Sequence, residues 1–126
     1  MLRRVRGEGG QSAVELALVL PLLALVALAL LQVGLVVRDQ LVLTHAAREA
    51  AREAALDDEP GAARAGALGG SHLDPDRLVV ATSGRHGPGS RVTATLTYRA
   101  PTEVPLVGRL VGDVRLHAVV TMRVEM

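Results

Sequence analysis

A chain of 126 residues has room for one small domain, and with a single aromatic residue, Tyr98, its core must be built from Leu, Val and Ala. Its 14 basic residues are all Arg and nearly cancel the 13 acids, leaving +1. That balance gives no charge argument for a nucleic-acid partner, and there is no aromatic platform for stacking bases. The absence of cysteine excludes a disulfide framework, a thiolate metal site and a cysteine nucleophile.

Residues 1–10 form a basic leader in which Arg3, Arg4 and Arg6 face only Glu8. Residues 16–31 contain no polar side chain, and the apolar character continues to Val37 before Arg38 and Asp39 stop it. About 22 such residues suffice to cross a ~30 Å hydrocarbon core as a helix. The sequence therefore predicts a transmembrane helix over 11–37. The basic leader holds the amino terminus in the cytoplasm. The result is a single-pass protein of the cell membrane with residues 38–126 outside. A secretory signal cleaved after Ala29, releasing a small soluble domain, is the competing reading. Against it, apolar residues run on for eight positions beyond that site. A buried core helix fails because the remaining chain is too small and too polar to wrap it.

Glu15 stands just inside the apolar border. In "SAVE" the Ser12 hydroxyl and the Glu15 carboxylate have the spacing of a capping box, and a carboxylate in a first turn suits the helix dipole. The same stretch, "GQSAVE" behind a basic leader and ahead of an apolar run, resembles the processing site of type IV pilin precursors. That resemblance implies cleavage after Gly10 by a membrane prepilin peptidase, with Gln11 as the new terminus. It also implies that Glu15 pairs with a free α-amine, its own or a neighbour's.

"RDQLVLTHAAREAAREAAL" lacks Gly and Pro and predicts a helix over 38–56 continuing from the membrane. Its Arg and Glu residues have the spacing to pair, and its Ala residues allow close approach by a packed partner. A short helix over 62–68 follows. The period then becomes two, predicting strands over 77–83, 90–100 and 113–125. "GRHGPG" connects the first pair, and the apolar "LVGRLVG" lies in the loop before the last strand. The fold class is α+β: a long helix, transmembrane and then outside, covering a three-stranded antiparallel sheet. Neither His45, His86 and His117 nor "HLDPD" around His72 forms a convincing metal site. With no nucleophile or phosphate-loop signature, no enzyme and no cofactor are expected.

Taken together, "GGQSAVELALVLPLL", "LVLTHAAREAAREAAL" and "GRLVGDVRLHAVVTMRVEM" resemble the TadE-like family, pseudopilin-like membrane proteins of the tight adherence (Flp) pilus system. The resemblance implies a pilin-like fold and a non-catalytic role as a minor pilin-like protein in pilus assembly or related secretion. Its implied partners are the membrane, the prepilin peptidase, the pilin, other pseudopilins and an inner-membrane platform. Association through the anchor helix, with itself or with those subunits, belongs to the same expectation. Leu16 departs from the family where an aromatic often follows the glutamate. A membrane anchor subunit of an unrelated complex is a further alternative.

Overall fold

A computed structural model describes residues 8–124; the arginines of the leader and the last two residues lie outside that range. One helix, α1, runs without interruption over Glu8–Leu56. It is followed by α2 (Ala62–Gly69), a 3-10 turn (Pro75–Arg77), β1 (Leu78–Ser83), β2 (Arg91–Ala100), the short α3 (Val107–Val111) and β3 (Val114–Arg123). This is the expected α+β arrangement. Pro21 lies within α1 without ending it.

The strands form one antiparallel sheet in the order β1-β2-β3. Leu78 pairs with Tyr98 across β1 and β2, and Leu96 with Ala118 across β2 and β3. The alternation visible in the sequence decides which face is covered. Val92, Ala94, Leu96, Tyr98 and Ala100 of β2 point inward with Leu116 and Ala118 of β3, while the threonines between them face out. On the outer face Thr93 and Thr121 share a hydrogen bond of 2.8 Å across the strands.

The second half of α1 covers the inner face. Leu43, Ala46, Ala47, Ala50, Ala51, Ala54 and Ala55 are buried, recurring at the three- and four-residue steps of one helical stripe. Alanine buries little area, so the stability of this core depends on close approach. The approach is close at α2, where a Cβ added to Gly66 would lie 2.6 Å from Glu53 Cγ and 2.9 Å from the Glu49 carbonyl oxygen. The partner that the Ala-rich helix accommodates thus includes this chain's own α2.

Arginines complete the tertiary fastening. Arg85, in the β1–β2 loop, donates to the carbonyls of Ala54 and Asp57. It thereby places a cation at the negative end of α1, whose own last turn has no basic residue. Arg64 of α2 donates to the carbonyls of Leu78 and Pro75 at 2.9 and 2.7 Å.

Candidate functional site

The first half of α1 has no protein around it. Residues 9–27 are exposed on every side although nearly all from Ala13 onward are apolar. The helix is long and apolar enough to cross a membrane, and its most apolar part has no cover from the rest of the fold. An uncovered apolar cylinder in water would be strongly unfavourable, and a bilayer removes that penalty. These features support a membrane anchor, compatible with a single-pass protein.

The four residues singled out at the border lie together on the first turns of this cylinder. Gln11 Nε2 donates to Glu15 Oε1 at 3.4 Å, one turn apart on the exposed surface. Gly10 is helical, and a Cβ there would meet nothing within 4 Å. Neither packing nor backbone conformation accounts for that glycine. Ser12 lies on the same helix, four residues after Glu8, the first residue of α1.

Lower on the same helix a stripe turns inward earlier than the end of the apolar run suggests. Gln32 is only 6% exposed, and its Oε1 has no hydrogen-bond partner. Within the next three turns, Leu35, Arg38, Asp39 and Val42 line a cleft with His72, Tyr98, Pro101 and Glu103. Burial raises the Asp39 pKa above its ordinary value, Arg38 opposes the rise and Glu103 adds to it. In the sequence Asp39 is only the stop of the apolar run; its proximity to Glu103, 64 residues away in the chain, carries no local signal.

Between α1 and α2 lies a groove of about 200 Å³ bordered by Val42, His45, Glu49, Gly66 and His72. Among the described residues no three His, Asp or Glu side chains converge to hold an ion. Asp74 instead builds a turn, its Oδ1 accepting the Asp76 amide at 3.0 Å.

Residues 10–52, the anchor and most of the helix that follows it, match the family model described as TadE-like protein. A TadE-like domain on one candidate membrane helix fits a protein related to the tight adherence pilus and its assembly machinery. No curated protein and no solved structure matches the chain.

Proposed function

We propose that this chain is a non-catalytic, pseudopilin-like protein that takes part in assembling a tight adherence pilus or a related secretion machine. Its anchor is cut after Gly10 by a prepilin peptidase, the amino terminus faces the cytoplasm and the α+β domain lies outside the cell membrane. The observation that carries this reading is the juxtaposition on α1 of an unpacked glycine, a lone carboxylate five residues later and a bare apolar helix, all within the TadE-like match.

After cleavage Gln11 would carry a free α-amine about one turn from Glu15, its own or that of an adjacent subunit. At the edge of the hydrocarbon, where the dielectric falls, the ammonium and the carboxylate attract more strongly than in bulk water, and each neutralises a charge that is costly to bury. Ser12 would then lie within the first turn of a newly made helix start, where its hydroxyl has amides to satisfy. Release after Ala29 is the weaker alternative, because it would cut inside α1 and leave exposed Leu30, Leu31, Val33 and Val37 at the head of a soluble domain.

The test is the intact mass and first residue of the membrane-extracted protein from its native host, together with the assembly phenotype of Glu15→Ala. A chain beginning at Gln11, with the variant inserted normally and assembly impaired, is the expected result. A chain still beginning at Met1 would remove the processing step. Normal assembly by the variant would leave Glu15 with a local structural role.

A further inference from the structure

We infer that the loop between β2 and β3, with α3 at its tip, is a second membrane contact that seats the domain on the outer surface of the bilayer. This rests on the anchor reading above and adds a lipid-binding surface to it.

The argument begins with heights along α1. Val92 of β2 lines one cleft with Ala54, and Tyr98 lines another with Val42. Six strand residues span ~20 Å and twelve helix residues ~18 Å, so β2 descends beside α1 toward the anchor. At its foot Pro101 and Glu103 face Leu35 and Asp39. A hydrocarbon core of ~30 Å takes about 20 helical residues. Counted from Leu16, these end at Leu35, so the loop begins where the bilayer should end.

The loop's composition suits that position. Leu106, Leu110 and Val111 are 57%, 84% and 60% exposed, the highest of them on a five-residue helix that also touches α1. Leu106 is the one non-glycine residue with positive φ among those described, at 69°, and Val107 N–H closes a three-residue γ-turn to the Pro105 carbonyl at 2.8 Å. Strain that turns a leucine outward is retained where it is used. Just above, Arg99 and Arg115 sit directly opposite each other on the outer face of the sheet. Neither meets a carboxylate within 4 Å among the described residues. Like charges facing across strands repel, and anionic phosphates at the headgroup level would relieve them.

The chain has no Trp, so Leu110→Trp, excited at wavelengths that Tyr98 does not absorb, is a sole tryptophan reporter at a site too exposed to disturb folding. The full-length variant is reconstituted in phosphatidylglycerol-containing vesicles with lipids brominated at shallow or deep acyl positions. Leu22→Trp in the anchor and Leu56→Trp at the far end of α1 serve as references. The expected result is blue-shifted Leu110→Trp emission quenched at least twofold by shallow bromines, with Leu22→Trp quenched by deep ones and Leu56→Trp by neither. Quenching of Leu22→Trp without any at Leu110→Trp would overturn the loop contact and leave the anchor intact. No quenching at either site would overturn both. A blue shift at Leu110→Trp that disappears on dilution in lipid, without quenching, would assign the loop to a second copy of the chain and refute the membrane contact.

Discussion

Asp39 and Glu103 bring two carboxylates to the junction of anchor and domain, where Arg38 partly offsets the rise in the Asp39 pKa. Because burial raises the Asp39 pKa above 3.8, the folded chain holds this proton more tightly than the unfolded one. The associated stability is fully present below the unfolded value and is lost as pH rises through the folded value. Asp39→Asn should therefore flatten the fall in melting temperature between the unfolded and the folded value and stabilise the domain at neutral pH. Thermal unfolding in detergent micelles from acid to neutral pH checks this, and an unchanged pH profile would show that Asp39 is not strained at this position. Local pattern marked Glu15 and Gly10 as unusual because their neighbours in sequence define the context. It could not mark Gln32, whose burial is set by the fold of residues far along the chain.

Between α1 and α2 the fold depends on the absence of atoms. A methyl at Gly66 would meet the Glu49 carbonyl, which belongs to a rigid helix and cannot swing aside. Gly66→Ala should therefore destabilise the domain by about 1–3 kcal/mol, despite the better helix propensity of alanine. Gly69→Ala, where a Cβ meets nothing within 4 Å, should be neutral or slightly stabilising. Melting temperatures of the two variants by circular dichroism separate the contact from the propensity, and equal shifts would refute the packing argument. The elements themselves were readable for different reasons. The Gly- and Pro-free run after Arg38 announces helix, and the Val92-Ala94-Leu96-Tyr98 alternation announces a half-buried strand. Arg85 reads in sequence as an ordinary loop residue, and only the return of the hairpin to the end of α1 gives it a capping role.

For the whole molecule, the α+β class follows from one switch of hydrophobic period near residue 77, since a sheet with one apolar face needs the helix before it as cover. What composition alone could not place is the overlap between anchor and domain: the covered stripe begins near Gln32, within the apolar run. The uncovered residues 9–27 lead to a direct expectation. After an alkaline wash of native membranes the protein should remain in the pellet, and its release into the supernatant would argue for a soluble chain. A last consequence follows from the continuity of α1 over its 49 residues, a rod of roughly 70 Å. With no joint between the part built for lipid and the part that carries the sheet, the molecule behaves as a lever. A tilt, twist or pull applied to the apolar end is passed along one continuous helix to the end that carries the sheet, so whatever grips the first steers the second.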